Sequence, residues 1–152
     1  MTEGETAPDF TAPTQDGADL TLSSLRPRPV VLYFYPRDDT PGCTQEAKDF
    51  TEMGAAFEAA GALVVGVSKD TVAKHGKFAT KHDLGVTLVS DAEGTICEDF
   101  GVWVEKTMYG RTSMGIERAT FLIDGSGTIR KVWRKVKVKG HAEAVLEVVR
   151  AL

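Results

Sequence analysis

The segment from Val30 to Phe57 has the composition of a buried strand, a sharp turn and a helix. Residues 30–35 form an unbroken run of β-branched, aliphatic and aromatic side chains, which is typical of a strand covered on both faces of its sheet. Pro36 ends this run. Thr40 suits a helix N-cap, and Pro41 suits the first helical position, where a missing N–H costs nothing. The chain is therefore constrained to a sheet with a helix packed against it.

Cys43 falls in the first turn of this predicted helix. Unpaired backbone N–H groups and the positive end of the helix dipole favour a thiolate over a thiol there. A helix end alone rarely supplies enough stabilisation, so we expect a second cation nearby. Steps of three and four place Cys43 on one stripe with Ala47, Phe50, Gly54 and Phe57, which predicts that it faces the core. A buried structural cysteine is the alternative, but the preceding strand and turn favour a reactive thiol in a pocket.

Length and charge bound the classes of function. A chain of 152 residues predicts one domain, residues 1–152, with a single core. Its 18 basic and 22 acidic residues give a net charge of −4. The chain therefore lacks the overall positive charge that would attract nucleic acid or anionic membranes. The acidic start, Met1–Glu5, has no apolar signal region, and no run approaches the ~20 apolar residues that span a bilayer. We expect a soluble, cytoplasmic protein.

Strands and helices alternate along the rest of the chain. After the Cys43 helix, the patterns predict a strand at 63–67, a helix at 71–82, a strand at 86–89, a short helix ending at 100, a hairpin of strands 118–123 and 129–138, and a helix at 141–152. Residues 10–12 and 20–22 flank a turn signal and predict an N-terminal β-hairpin. Residues 102–115 lack periodicity and predict a surface loop. The order predicts an α/β fold with a central mixed β-sheet flanked by helices.

The segment 33–44, YFYPRDDTPGCT, resembles the active-site signature of the peroxiredoxins, Pro-x-x-x-Thr-x-x-Cys, with Pro36, Thr40 and Cys43 at the three fixed positions. The TPGCT string is similar to the peroxiredoxin Q, or bacterioferritin comigratory protein, branch of that family. Further matches cover nearly the whole chain: APDF at 7–10, FGVW at 100–103, GIER at 115–118 and FLID at 121–124. The resemblance implies a thioredoxin-like fold for the predicted sheet and helices.

The resemblance also implies roles for individual residues. Cys43 would be the peroxide-attacking thiolate, and Arg118 the expected cation that contacts both the sulfur and the peroxide. Thr40 would cap the helix and bind a peroxide oxygen, and Pro36 would shield the sulfur from water. Glu46, one turn after Cys43, is either a residue that orients Arg118 through a salt bridge or a surface carboxylate.

Two aromatic residues and three histidines complete the candidates. By analogy with the family, the segment 102–115 would lie near the active site, with Trp103 and Tyr109 as walls of the pocket. His75, His82 and His141 lack metal-ligand spacing and are interpreted as solvated side chains. We therefore expect neither a metal nor an organic cofactor.

The predicted activity is a thiol-dependent peroxidase that reduces hydrogen peroxide and small organic hydroperoxides through a Cys43 sulfenic acid. The expected partners are the hydroperoxide and a reducing thiol, either thioredoxin or a low-molecular-weight thiol, with the protein a monomer. The alternative is a redox-responsive signalling protein whose oxidised Cys43 captures partners without useful turnover.

The residue that would resolve the sulfenic acid departs from the family pattern. Relatives carry a resolving cysteine five residues after the peroxidatic one or on the next helix, positions that hold Lys48 and Ala79 here. Cys97 is the only other cysteine and is therefore the remaining candidate for the resolving residue, a role that would require a large rearrangement or the Cys97 of a second copy of the chain. The other interpretation of Cys97 is a half-buried structural thiol. We predict a one-cysteine cycle in which an external thiol attacks Cys43 directly.

Overall fold

The computed structural model describes all residues, Met1–Leu152, as alternating strands and helices. In chain order, the elements are β1 (Thr11–Pro13), β2 (Asp19–Thr21), a 3₁₀ turn (Leu22–Leu25), β3 (Val30–Phe34), α1 (Pro41–Glu52), α2 (Gly54–Ala59), β4 (Leu63–Ser68), α3 (Val72–His82), β5 (Thr87–Ser90), α4 (Ile96–Asp99), β6 (Trp103–Met108), β7 (Arg111–Ile116), β8 (Ala119–Ile123), β9 (Ile129–Trp133) and α5 (His141–Arg150). The predicted N-terminal hairpin is present as β1 and β2, which pair antiparallel.

The central sheet has five strands in the order β5-β4-β3-β8-β9. Strands β3, β4 and β5 are parallel, whereas β8 runs antiparallel to β3 and β9 antiparallel to β8. The sheet is therefore mixed, as predicted. Strand β3 lies at its centre, which explains why every residue from Val30 to Phe34 is buried.

Alternate residues of β3 enter two separate cores on opposite faces of the sheet. Val31 and Tyr33 belong to the core that Phe50, Phe78 and Leu146 of the helices α1, α3 and α5 cover. Val30, Leu32 and Phe34 belong to the other core, which residues of α4 and the N-terminal segment cover. Helices thus flank both faces, and Cys43 and Cys97 lie in different cores.

The Cys43 helix begins where the sequence predicts and is divided near its end. Pro41 occupies the first position, and Thr40 precedes it with extended backbone angles. The predicted core stripe is confirmed for Cys43, Ala47, Phe50 and Phe57, which are all buried. At Met53 the chain turns from α1 into α2, beside Gly54, whose low helix propensity suits a kink.

The prediction of a surface loop at 102–115 is wrong. Strands β6 and β7 pair there as a regular antiparallel hairpin, from Trp103 opposite Ile116 to Met108 opposite Arg111. Tyr109 and Gly110 form its two-residue turn with φ of 53° and 76°, the positive values that tight hairpins favour. Most residues of both strands are exposed, so neither face imposes the apolar alternation that marks a strand. The last sheet strand is also shorter than predicted, because β9 ends at Trp133 rather than at 138.

None of the helices has the length and hydropathy that a membrane crossing requires.

Candidate active site

Cys43 lies in the first turn of α1 beneath the helix, and only 1% of its surface is exposed. It packs in the same core cluster as Tyr33 and Ala47. The first hydrogen bond from the helix back to its N-cap is donated by Thr44 N to Thr40 O, at 2.9 Å. The N–H groups of Gly42 and Cys43 precede that bond and lie at the positive end of the helix dipole. The sulfur therefore lies at the positive end of the helix.

Arg118 is the second cation that the placement of Cys43 required. It directly precedes β8, and its Nη2 donates a hydrogen bond to Cys43 Sγ at 3.4 Å. Its Nη1 donates to Glu46 Oε1 at 2.7 Å. A Cβ on Gly42 would lie 3.1 Å from Arg118 Nη2, so a glycine at this position gives the guanidinium room to approach the sulfur. Residues far apart in the chain thus meet at the first turn of α1.

Glu46 is buried rather than a surface carboxylate, with 2% of its surface exposed. Burial raises the pKa of Glu46 to about 7, against the opposing attraction of Arg118. Its Oε2 has no hydrogen-bond partner in the protein. Burial by itself would lower the pKa of Arg118. The neighbouring Glu46 and Cys43 outweigh this effect and raise the pKa of the guanidinium above its ordinary value. Arg118 therefore remains cationic between two groups that can each carry negative charge.

The raised pKa of Glu46 predicts a pH-dependent loss of stability. Between pH 4.5 and about 7 the folded protein holds the Glu46 proton more tightly than the unfolded chain, so this stabilising contribution is complete below pH 4.5 and is lost as the pH rises through 7. In Glu46→Gln the contribution is absent. As the pH rises across this range, the wild type should therefore lose about 3 kcal/mol of unfolding free energy relative to Glu46→Gln. Urea unfolding of both proteins at each pH would measure this difference.

Glu52→Gln is the matched control, because Glu52 lies on the same helix but is exposed. Its difference from the wild type should not vary with pH. A Glu46→Gln difference that is equally flat would contradict the raised pKa.

Thr40 occupies the N-cap position, but the prediction that its side chain caps the helix is wrong. Its Oγ1 donates a hydrogen bond to Arg37 O at 2.9 Å, and no backbone N–H of α1 donates to it. Because its proton is committed to a carbonyl, this hydroxyl is left free to accept a hydrogen bond. The backbone extends from Pro36 to Thr40 as a loop between β3 and α1, in which Asp39 has a φ of 60°.

A groove of about 500 Å³ passes beside Pro36 and Thr40. Trp103 lines it, as the family resemblance implied, whereas Tyr109 is 98% exposed at the hairpin turn and does not wall the pocket. Four cationic side chains also line the groove: Arg37, Lys69, Lys74 and Lys106. Pro36 itself is exposed on the groove.

The interpretation of all three histidines as solvated is wrong for two of them. His75 is fully buried and His141 is 7% exposed, whereas His82 is partly exposed and contacts Asp39. His141 Nε2 lies 2.7 Å from Thr120 Oγ1, and burial, together with the charge of Arg118, lowers the pKa of His141 to about 4. His75 could have been recognised, because its spacing of three from the buried Phe78 places both on one helix face.

Cys97 and Cys43 lie on opposite faces of the central sheet. Cys97 is fully buried rather than half-buried. Burial and the carboxylate of Asp91 raise the pKa of Cys97 well above its ordinary value. Asp91 accepts hydrogen bonds from the N–H groups of Ile96 and Cys97, both at 3.0 Å. Both cysteines are free thiols.

Comparisons with known proteins identify the family of the chain. A family model described as the AhpC/TSA family matches residues 4–132. The chain is 50% identical over 143 residues to a putative peroxiredoxin Bcp from Coxiella burnetii, covering 94% of this chain and 95% of that relative.

Solved structures give the same result. A bacterioferritin comigratory protein from Xanthomonas campestris, described for its alkyl peroxide reduction activity, is 43% identical with a TM-score of 0.89, over 93% of this chain and 90% of that one. A PrxQ variant from Xylella fastidiosa is 41% identical with a TM-score of 0.94, over 99% of this chain and 96% of that one. The fold is that of the thioredoxin-like peroxiredoxins, and the chain belongs to the AhpC/TSA family, in its peroxiredoxin Bcp branch.

Proposed function

We propose that Cys43 is the peroxide-attacking residue of this thiol-dependent peroxidase and that Arg118 and Thr40 position the peroxide. The observation that carries the proposal is the Arg118 contact of 3.4 Å to a sulfur at the N-terminus of α1. Guanidinium and helix dipole both stabilise the thiolate, which is the nucleophilic form. The substrate is a hydroperoxide, and the electrons come from a thiol.

The reaction divides into two balanced steps. The Cys43 thiolate attacks one peroxide oxygen, so an S–O bond forms while the O–O bond breaks, and the leaving oxygen takes a proton to become water or an alcohol. Cys43 is thereby oxidised to a sulfenic acid. A reducing thiol then forms a mixed disulfide with release of water, and a second thiol restores Cys43 and leaves as the disulfide.

Each neighbouring group has a role in the first step. Arg118 stabilises the charge that moves along the O–O bond, together with the N–H groups of the first helical turn. Thr40 Oγ1 donates to Arg37 O, so it accepts a hydrogen bond from the hydroxyl of the peroxide. Pro36 limits the access of water to the sulfur. Glu46 holds Arg118 in place through the contact of 2.7 Å.

We further propose that the chain acts as a monomer in a one-cysteine cycle, with thioredoxin or a low-molecular-weight thiol as the reductant. The location of Cys97 supports this cycle, because the central sheet separates its core from that of Cys43. A disulfide needs Cα atoms within about 7 Å. Forming one between these residues would require the unfolding of one core.

Replacement of Cys97 by serine tests the one-cysteine cycle. We expect Cys97→Ser to retain steady-state turnover with reductant within about twofold, because an external thiol reaches Cys43 without it. Mass spectrometry of the wild type after one equivalent of peroxide should find a sulfenic acid or a mixed disulfide at Cys43. A stoichiometric Cys43–Cys97 disulfide, with turnover lost in the variant, would contradict the proposal.

Steady-state consumption of peroxide tests the function itself. With excess reducing thiol, a peroxidase should consume many equivalents of hydrogen peroxide at a constant rate. Consumption that stops after one equivalent would instead identify a redox-responsive interaction protein.

A further inference from the structure

A buried hydrogen-bond network begins at the loop of residues 36–40, which carries Pro36 and Thr40. Asp38 is the buried residue of this loop, and its two carboxylate oxygens have different partners. Tyr35 Oη donates to Asp38 Oδ1 at 2.6 Å, and His75 Nδ1 lies 2.6 Å from Asp38 Oδ2. Tyr35 and His75 are themselves 1% and 0% exposed.

The partners of His75 fix the number of protons in the network. His75 Nε2 lies 3.0 Å from Val89 O, and a carbonyl oxygen only accepts, so Nε2 carries a hydrogen. One further proton lies between Nδ1 and Asp38 Oδ2, whichever of the two atoms holds it. Buried hydrogen bonds of this kind, between a carboxyl and an imidazole, are short and directional.

The same bonds argue against a metal site. Asp38, Asp70 and His75 bring potential ligand atoms within 4.8 Å of one another. Each of these groups is nevertheless engaged: His75 uses both ring nitrogens, and Asp70 Oδ2 accepts from Asp38 N at 2.8 Å and from Ser68 Oγ at 2.7 Å. A cation would have to replace bonds that already satisfy the cluster.

Through these bonds, the loop is joined to three elements of the fold. His75 belongs to α3, Val89 to β5, and Ser68 to the end of β4. Asp39, which follows Asp38, has a φ of 60°, in the left-handed region that aspartate tolerates, and its carboxylate contacts Lys81 and His82 of α3. Thr40 Oγ1 in turn donates to the carbonyl of Arg37, the residue before Asp38. The position of the Thr40 hydroxyl therefore depends on where Asp38 is held.

We infer that Asp38 and His75, with Tyr35, are positioning residues for the peroxidase reaction, which hold the 36–40 loop so that Thr40 and Pro36 are placed for the peroxide. None of the three needs to touch the substrate. The inference rests on the proposed function, since it assigns to the network the geometry in which Cys43 meets a peroxide.

Two substitutions of His75 separate its hydrogen bond to Asp38 from its hydrogen bond to Val89 O. An asparagine amide nitrogen lies as many bonds from Cβ as Nδ1 does, and a glutamine amide nitrogen as many as Nε2. His75→Asn therefore keeps a donor toward Asp38 and loses the one toward Val89 O, whereas His75→Gln does the reverse. Both variants lose the same ring from the same buried site, so each is the matched control of the other.

Two reactions of Cys43 give the readout. We expect the second-order rate constant with hydrogen peroxide to be at least tenfold lower in His75→Gln than in His75→Asn. Alkylation by iodoacetamide needs the thiolate but not Thr40 or Pro36, so its rate should not fall in either variant. Equal peroxide rates, or peroxide and alkylation rates that fall together, would overturn the inference.

Tyr35→Phe covers the case in which the His75 variants do not fold, because it removes only the hydroxyl that donates to Asp38. Its peroxide rate constant should fall at least threefold with alkylation unaffected, and an unchanged peroxide rate would overturn the inference. Failure of the proposed function is distinguishable, since it would appear as retained peroxidase activity in Cys43→Ser, whatever the His75 and Tyr35 variants do.

Discussion

Cys43→Ser is expected to reduce peroxide no faster than the uncatalysed reaction while remaining folded. Serine nearly matches cysteine in size, so the buried site beneath α1 keeps its packing. Its hydroxyl can also accept the hydrogen bond that Arg118 Nη2 donates to the sulfur. At neutral pH, however, a serine hydroxyl without a general base is a poor nucleophile. Peroxide consumption with excess thiol would measure the loss, and thermal unfolding would verify the fold.

The chain provides its own control for this experiment. Cys97→Ser makes the same chemical change at the other buried thiol, on the opposite face of the sheet. A comparable change in unfolding temperature for both variants, with activity lost only in Cys43→Ser, would assign the chemistry to Cys43. Peroxidase activity that survives in Cys43→Ser would end the mechanism proposed here.

Local signals predicted the part of the site that lies within one stretch of chain. The apolar run of β3 and the Thr40-Pro41 start of α1 determine where Cys43 lies, because both depend on neighbours only a few residues away. Arg118 is 75 residues from Cys43, and only the family resemblance connected them in advance. The physical link is the register of β8 beside β3, which no pattern in a single sequence specifies.

Two features of the fold, the β6–β7 hairpin and the buried His75, depart from the usual relation between polarity and burial. The hairpin of β6 and β7 is exposed on most of its surface, so burial imposes no alternation on its residues. His75 is the reverse case, a polar residue that is buried because Asp38 and Val89 satisfy it. Such partners come from distant elements, so the spacing of His75 from Phe78 indicates the buried helix face but not the groups that satisfy the imidazole.

Arg118→Ala is expected to slow the reaction of Cys43 with peroxide by about 10- to 150-fold. A hydrogen bond to a charged group contributes roughly 1.5–3 kcal/mol, and each ~1.4 kcal/mol is a factor of ten in rate. The guanidinium lies 3.4 Å from the sulfur, so its removal takes away a positive charge beside the nucleophile and the stabilisation of charge along the O–O bond. Stopped-flow measurement of the second-order rate constant would test this, and the pH dependence of iodoacetamide alkylation would report the thiolate separately.

The neighbouring carboxylate determines how the Arg118 result is interpreted. Without Arg118, buried Glu46 loses the partner at 2.7 Å, so Arg118→Ala changes the charge balance as well as the contact to sulfur. The double variant Arg118→Ala with Glu46→Gln removes both charges. We expect it to be as stable as Arg118→Ala or more so, but to remain as slow with peroxide, because the cation beside the sulfur is still missing. Recovery of the wild-type rate in the double variant, or an unchanged rate and thiol titration in Arg118→Ala, would show that Arg118 serves only to neutralise Glu46.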